Sequence, residues 1–100
     1  ALKKDTSRAE AIINVRWDPA QRRAAFTFQE RIYGNASEFV EELRQMREAS
    51  ERQGAGGQNP NFRVVLRADR EVPAMYVAQA MNASGEAGIA DIAFSTSNRD

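Results

Sequence analysis

The chain has 100 residues, of which 42% are hydrophobic and 28% are charged, a composition typical of one globular domain with a core of two or three layers. Its 14 Lys and Arg residues balance 14 Asp and Glu residues, so the charge predicts no nucleic-acid partner. The absence of Cys excludes disulfides and thiol chemistry, and the absence of His removes the usual general base and the commonest transition-metal ligand. We therefore expect a non-enzymatic domain without catalytic residues, metal or cofactor.

The two ends of the chain are polar. Residues 1–10 are aperiodic and predict a flexible linker, residues 11–96 are expected to form the domain, and residues 97–100 to form a polar tail. No run of about 18 apolar residues is present, so no segment is predicted to span a membrane. Because the chain begins with Ala1 rather than Met, we expect it to be a fragment or a processed form of a longer protein.

Three strands are predicted before the first helix. Apolar and polar residues alternate in two stretches, as expected of half-buried strands. The alternating apolar positions are Ile13, Val15, Trp17, Ala24, Phe26 and Phe28. Asp18-Pro19 begins the turn between the two stretches, which predicts an antiparallel hairpin. Ile32 and Tyr33 then predict a third, very short strand.

The first helix is predicted to begin after Asn35, which suits the N-cap position and has Glu38 in place to complete a capping box. Apolar residues then recur at three- and four-residue spacing and predict one buried stripe over about four turns. The stripe consists of Ala36, Phe39, Val40, Leu43, Met46 and Ser50. A glycine-rich loop follows from Gln53 to Asn61. Its GAGG segment lacks the lysine and the strand–loop–helix order of a phosphate-binding loop.

The second half of the chain predicts a strand–helix–strand unit. The unbroken apolar run from Val64 to Leu66 predicts a strand that is covered on both faces or lies inside the sheet. Pro73 suits the first position of the next helix, and Gly88 suits its left-handed C-terminal cap. The face of this helix that we expect to be apolar contains Ala74, Val77, Ala78, Met81 and Gly85. The last strand is predicted at Ile89, Ile92 and Phe94.

The predicted element order is therefore β-β-(β)-α-β-α-β. A strand–helix–strand crossover is right-handed and joins parallel strands, while the hairpin adds antiparallel strands to the same sheet. Two helices with one apolar stripe each are expected on the same face. The predicted fold is an α+β two-layer sandwich with a mixed sheet of four to five strands.

The stretch from Phe62 to Ile89 reads FRVVLRADREVPAMYVAQAMNASGEAGI. It combines a hydrophobic strand that ends in Arg-Ala-Asp, a helix opened by Val-Pro, and an Ala-Gly-Ile exit into the last strand. The residues of this motif are Arg67, Ala68, Asp69, Val72, Pro73 and Gly88. The pattern resembles the C-terminal part of the periplasmic domain of the ExbD/TolR family, and the resemblance extends over residues 12–96.

The resemblance implies a mechanical function. Such proteins are anchored at the periplasmic face of the bacterial inner membrane by one N-terminal helix, which carries the family's essential carboxylate. They work with an ExbB/TolQ-like membrane partner, and they couple the proton motive force to a TonB-like or TolA-like protein that spans the periplasm. We expect a homodimer that acts by protein–protein interaction in outer-membrane transport or envelope integrity. The alternative is a ligand- or peptidoglycan-binding module of the same fold.

Three carboxylates, Asp69, Glu71 and Asp91, are predicted near strand ends. The first two could form a metal or acid–base pair at the carboxyl edge of the sheet. The simpler interpretation is that Asp69 caps the second helix or bonds turn amides, because the chain has no His and no second cluster of ligands. Arg67 and Arg70 are expected to pair with carboxylates at the surface.

The candidate interface residues are the aromatic residues Trp17, Phe26, Phe28 and Tyr76. They could bind a peptide or a carbohydrate from an exposed face, but the strict alternation of the first three favours burial under the helices. The outer strand of the hairpin is a second candidate. Its edge could accept a strand from an identical subunit or from a partner peptide.

Overall fold

The computed structural model describes residues 10–53 and 62–97. The strands and helices follow the predicted order. Their bounds are β1 Glu10–Asp18, β2 Arg23–Phe28, β3 Arg31–Tyr33, α1 Val40–Gln53, β4 Arg63–Asp69, α2 Ala74–Glu86 and β5 Asp91–Ser97. A short 3-10 helix, Ala36–Phe39, leads into α1. The first and last strands each extend one residue beyond the predicted domain, while the rest of the predicted linker and tail and the glycine-rich segment 54–61 lie outside the described residues.

One mixed sheet carries the strands in the order β3-β2-β1-β4-β5. β1, β4 and β5 are parallel, β2 pairs with β1 in antiparallel orientation, and β3 pairs with β2 in antiparallel orientation. In this register Ile13 of β1 lies between Phe28 of β2 and Leu66 of β4. The predicted α+β fold with a five-stranded mixed sheet and two helices is confirmed.

The core lies between the helices and one face of the sheet. Its fully buried large side chains are Ile13, Val15, Phe26, Phe28, Phe39, Leu43, Val64 and Leu66. Phe39 is at the centre, with its ring centroid 6.0 Å from that of Phe26, 5.4 Å from that of Phe28 and 5.3 Å from that of Tyr33. Aromatic pairs at these separations contribute beyond the area they bury, about 0.5–1.5 kcal/mol each.

The other face of the sheet, which we call the open face, carries no described helix. β4 lies between β1 and β5, which confirms the second of the two predicted alternatives, a strand inside the sheet. Val64 and Leu66 on its helix side are buried, while Val65 on the open face is half-buried. The unbroken apolar run reflects the central position of the strand rather than a second layer of helices.

The start of the first helix confirms the predicted cap. The side-chain oxygen of Asn35 accepts hydrogen bonds from the backbone N–H and the hydroxyl of Ser37, both at 3.0 Å. Ser37, rather than Glu38, completes the cap. The predicted stripe also packs on the sheet: Ala36, Phe39, Leu43 and Ser50 are buried, and Val40 and Met46 are half-buried.

The second helix differs from its prediction in two ways. Pro73 occupies the N-cap position, with extended backbone angles (φ −61°, ψ 144°), so the first helical residue is Ala74. The side that faces the core consists of the small residues Ala80, Ala83 and Ser84. The face predicted to pack on the sheet is instead largely exposed. Only Val77 among its members packs partly against the core, while Ala74, Ala78, Met81 and Gly85 are exposed.

Two arginines of α1 hold the C-terminal end of α2. Arg47 Nε donates a hydrogen bond to the carbonyl oxygen of Ala87 at 2.9 Å, and Arg44 donates one to the carbonyl oxygen of Glu86 at 3.0 Å. The last carbonyls of a helix lack partners within it and carry a partial negative charge. The guanidinium groups satisfy them and fix one helix against the other.

Candidate functional site

The position of α2 on the sheet leaves an apolar surface uncovered. The helix packs on β1, on β4 and against the first helix, so it lies to one side of β5. Phe94 of β5 is 46% exposed and Met81 of α2 is 36% exposed. Large apolar side chains at these levels of exposure leave part of their hydrophobic free energy unused, about 25 cal/mol per Å².

These side chains line a groove between α2 and β5. Its volume is about 270 Å³. Its walls are mainly apolar, and its lining residues are Ala68, Asp69, Arg70, Val72, Ala74, Val77, Ala78, Met81, Phe94 and Thr96. Sites that bind apolar groups are concave and apolar, with a few polar groups that fix orientation. We call this surface the α2–β5 groove.

The groove adjoins an edge of the sheet. β5 is the last strand in the sheet order, and its only strand neighbour among the described residues is β4. An edge strand presents a row of backbone N–H and C=O groups to a further strand. Because side chains alternate along a strand, every second residue of an added strand would point towards Met81 and Phe94. The arrangement can therefore hold an extended segment by both its backbone and its side chains.

The sequence motif lies at one end of this groove. Ala68, Asp69, Arg70 and Val72 belong to its lining. Asp69 is only 6% exposed, and its backbone carbonyl accepts a hydrogen bond from the N–H of Val72 at 3.1 Å, which closes the turn before α2. Pro73 is the N-cap residue of α2, and the bonding of turn amides by Asp69 stays a prediction.

Other motif residues serve the fold or face elsewhere. Gly88 has φ +87°, which confirms the predicted left-handed cap. Arg67 lies on the open face of the sheet and is exposed. No carboxylate is found to pair with it among the described residues, and the predicted surface ion pair of this arginine stays a prediction.

The carboxylates predicted at strand ends do not come together. Asp91 lies opposite Arg63 at the start of β4, and its Oδ1 is 3.3 Å from Arg63 Nε. Asp69 lies at the other end of β4, and Glu71 is exposed in the turn that follows. Among the described residues there is no group of three carboxylates that could hold a metal ion.

The aromatic candidates divide between the core and its rim. Phe26 and Phe28 are 0% and 1% exposed, so they cannot contact a partner in this fold. Trp17 and Tyr76 are half-buried, and their ring centroids are 5.8 Å apart. They do not line the α2–β5 groove. The prediction that these aromatic side chains are buried under the helices is therefore confirmed for Phe26 and Phe28. Trp17 and Tyr76 are partly buried and pack against the core.

A smaller and more polar cleft lies on the other side of α2. Its volume is about 190 Å³, and its lining residues are Asn35, Ala36, Ser37, Gln79, Asn82, Ala83 and Glu86. Trp17 and Tyr76 do not line this cleft either. A concave pocket lined by Trp17 or Tyr76 would favour the alternative function, a ligand- or peptidoglycan-binding module. Neither the α2–β5 groove nor this cleft is lined by either residue.

Sequence patterns assigned Met81 and Phe94 to the core and therefore missed the groove. A signal was nevertheless present. α2 has a single charged residue, Glu86, whereas α1 carries charges on most of its surface. A helix that covers only one face of a sheet normally has a broad charged side, so the scarcity of charge on α2 indicates a second apolar contact.

No helix in the described part of the chain is both long and apolar enough to cross a membrane. A comparison with curated proteins finds no match. The family model for the biopolymer transport protein ExbD/TolR matches residues 3–99, which is nearly the whole chain and more than the stretch on which the resemblance was recognised. The chain belongs to the ExbD/TolR family of biopolymer transport proteins.

Proposed function

We propose that this domain is the partner-binding periplasmic domain of a subunit that transmits the energy of the proton motive force. The family to which the chain belongs supplies energy-transduction subunits for biopolymer transport. Its members do not act as enzymes. The domain would transmit force through contacts with other proteins, at the inner membrane and in the periplasm.

The observation that carries this proposal is the α2–β5 groove beside the edge of β5, which no described strand covers. An extended segment of the partner would add a strand to the sheet. Two of its apolar side chains would enter the groove and contribute about 1.5–3 kcal/mol each. Ordering the segment costs part of this gain. The balance favours a contact that forms and releases repeatedly, which suits a cyclic transfer of energy.

The choice of edge follows from the sheet. The outer strand of the predicted hairpin, β2, is not an edge because β3 covers it. β3 is an edge of 3 residues, and β5 is an edge of 7 residues. A longer edge offers more backbone hydrogen bonds to a partner. We therefore assign partner binding to β5 rather than to the hairpin.

The proposed partners follow from the family. A TonB-like or TolA-like protein that spans the periplasm would supply the segment in the groove. An ExbB/TolQ-like protein would hold the membrane anchor of the full-length subunit. We further propose that two copies of the subunit associate as a homodimer, because paired subunits can present two grooves to one complex.

Two methionines of α2 provide a matched test. Met81 lines the groove, whereas Met75 is 59% exposed on the same helix and lies outside it. We expect Met81→Glu in the full-length protein to reduce recovery of the periplasm-spanning partner by about tenfold, since burying a polar group in an apolar contact costs about 1–3 kcal/mol. Met75→Glu should leave recovery unchanged. The measurement is co-purification after crosslinking, together with proton-driven transport.

Thermal unfolding of both variants is the control for folding, because neither side chain is fully buried. Equal recovery of the partner by the two variants would contradict the assignment of the groove. Loss of recovery with both variants would place the contact on the outer side of α2 instead.

A further inference from the structure

The open face of the sheet carries polar and charged side chains in ordered rows. Strand register defines these rows. Arg23 lies opposite Asp18, Arg16 lies opposite Ala25, and Arg67 lies beside Asn14. Asp18, Arg16 and Asn14 are successive outward residues of β1, because the residues between them face the helices.

The three arginines therefore form a diagonal line across the open face. Arg16 of β1 is the diagonal neighbour of Arg23 on β2 and of Arg67 on β4, and such neighbours lie about 7–8 Å apart. All three are exposed. We call this set the arginine diagonal: Arg23, Arg16 and Arg67.

The described carboxylates of the open face offset these charges only in part. The ion pairs found on α1 and the pair between Arg63 and Asp91 do not involve Arg16, Arg23 or Arg67. Asp18 lies opposite Arg23 in the sheet register, and its Oδ1 accepts hydrogen bonds from the N–H groups of Ala20 at 3.1 Å and Gln21 at 3.3 Å. The line of three exposed arginines follows from the strand register, which the balanced composition of the chain does not reveal.

We propose that the arginine diagonal binds an extended acidic segment of a partner protein. Alternate residues of an extended chain are about 6.6–7 Å apart, which is close to the spacing of the arginines. Guanidinium groups bind carboxylates through paired hydrogen bonds. The strand register places Thr27, Asn14 and Ser95 in one row with Arg67 across the sheet. Their polar side chains can form hydrogen bonds with the backbone of the bound segment.

An acidic peptide fits this surface better than a single-stranded nucleic acid. Proteins bind single strands through aromatic side chains that stack on the bases. Trp17, Phe26 and Phe28 all lie on the helix side of the sheet. Phe26 and Phe28 are buried there, and Trp17 shares the face of the buried Val15, two residues earlier in the same strand. The open face therefore offers charge without stacking. This site lies on the face opposite the α2–β5 groove and does not depend on it.

The test uses a fluorescein-labelled heptapeptide with glutamate at every second position and serine between. Fluorescence anisotropy is measured with the 100-residue chain at low salt, where exposed charges are least screened. Arg16→Gln, Arg23→Gln and Arg67→Gln should each weaken binding about 1.5- to 5-fold, as expected for exposed ion pairs. The triple variant should weaken it by roughly tenfold or more on the same scale. Arg52→Gln, which changes an exposed arginine of α1, should have no effect.

Three outcomes would overturn the proposal. The first is equal weakening by Arg52→Gln, which indicates a non-specific charge effect. The second is equal binding of the peptide in which glutamine replaces glutamate. The third is tighter, arginine-dependent binding of an oligothymidine or of vesicles that contain phosphatidylglycerol, which would assign the surface to a nucleic acid or to a membrane. Circular dichroism of each variant establishes that the fold is retained.

Discussion

Gly88 is the residue whose backbone the fold constrains most clearly. Its φ of +87° is in the left-handed region, and a Cβ at this position would lie 2.9 Å from Arg47 Nε. That arginine donates the hydrogen bond to the carbonyl of Ala87. A side chain here would therefore strain the backbone and disturb the contact that joins the two helices.

We predict that Gly88→Ala lowers the free energy of unfolding by about 2–3 kcal/mol. A left-handed alanine costs roughly 1–2 kcal/mol, and displacement of Arg47 removes part of a charged hydrogen bond of about 1.5–3 kcal/mol. Urea denaturation followed by circular dichroism measures the change. A decrease in the free energy of unfolding below about 0.5 kcal/mol, as for ordinary surface substitutions, would contradict this prediction. It would show that the turn accommodates an alanine at position 88.

Gly85 provides the matched control for this prediction. It lies inside α2, and a Cβ there would meet nothing within 4 Å. Replacing a helical glycine with alanine stabilises a protein by roughly 0.5–1 kcal/mol. We therefore expect Gly85→Ala to raise the free energy of unfolding while Gly88→Ala lowers it. The same decrease in both variants would contradict the assignment of Gly88 as the conformational requirement.

Single-residue predictions succeeded where local chemistry decides the conformation. Asn35 and Gly88 cap helices as their residue types suggest, Asn35 by its side-chain oxygen and Gly88 by its left-handed backbone, because these preferences act over one turn. The turn between β2 and β3 could not be predicted in this way. Its two residues, Gln29 and Glu30, have φ of 55° and 67°, a conformation that hairpin turns normally fill with Asn and Gly. Pairing of the flanking strands overrides the local preference there.

At the scale of elements, α2 is the informative case. Its core side consists of the small residues Ala80, Ala83 and Ser84, and the hydroxyl of Ser84 donates to the carbonyl of Ala80 at 2.9 Å within the helix. Small residues allow the helix to approach its neighbours closely. The longer apolar side chains are left for the groove. The helix therefore uses two apolar sides, one for folding and one available for binding.

Identical substitutions on the two sides of α2 test this division. Ala80 is fully buried, with 0% exposure, and Ala78 is exposed in the groove. We expect Ala80→Leu to lower the free energy of unfolding by about 1–3 kcal/mol, because overpacking displaces neighbouring side chains. Ala78→Leu should change it by less than about 0.5 kcal/mol, while narrowing the groove and weakening partner binding.

Thermal and urea denaturation of both variants measure stability, and co-purification of the partner with the full-length protein measures binding. Comparable destabilisation by the two leucines would mean that both sides of α2 are packed. Unchanged partner binding by Ala78→Leu would argue against the groove as the binding surface.

The prediction of α1 succeeded and that of α2 failed for the same physical reason. Hydrophobic periodicity identifies the side of a helix with the most apolar side chains. In α1 that side is the core side. In α2 the buried side is the less hydrophobic one by residue type, since alanine and serine are counted as weakly apolar or polar. The small volume of these side chains allows the close packing, but hydrophobic periodicity does not take side-chain volume into account.

At the scale of the whole molecule, β4 connects the two proposed surfaces. Successive side chains of a strand point to opposite faces. Arg67 therefore contributes to the arginine diagonal, and Ala68 contributes to the α2–β5 groove. The sequence could predict the sheet that carries them, but not the groove or the diagonal. The arginine diagonal depends on the strand register across β2, β1 and β4. The groove depends on the lateral position of α2 on the sheet. A single sequence states neither the register nor the helix position directly.

The separation of the two surfaces by the sheet leads to a last prediction. Met81 and Arg16 lie on opposite faces, and no contact between them or shared partner is found in the described part of the chain. Substitutions at such sites normally add within about 0.3–0.5 kcal/mol. The double variant Met81→Glu/Arg16→Gln should therefore weaken partner binding as much as Met81→Glu alone, and acidic-peptide binding as much as Arg16→Gln alone. Both affinities are measured on the same four proteins. A coupling above about 1 kcal/mol would exceed the range for independent sites, and it would show that the sheet transmits the occupancy of one face to the other.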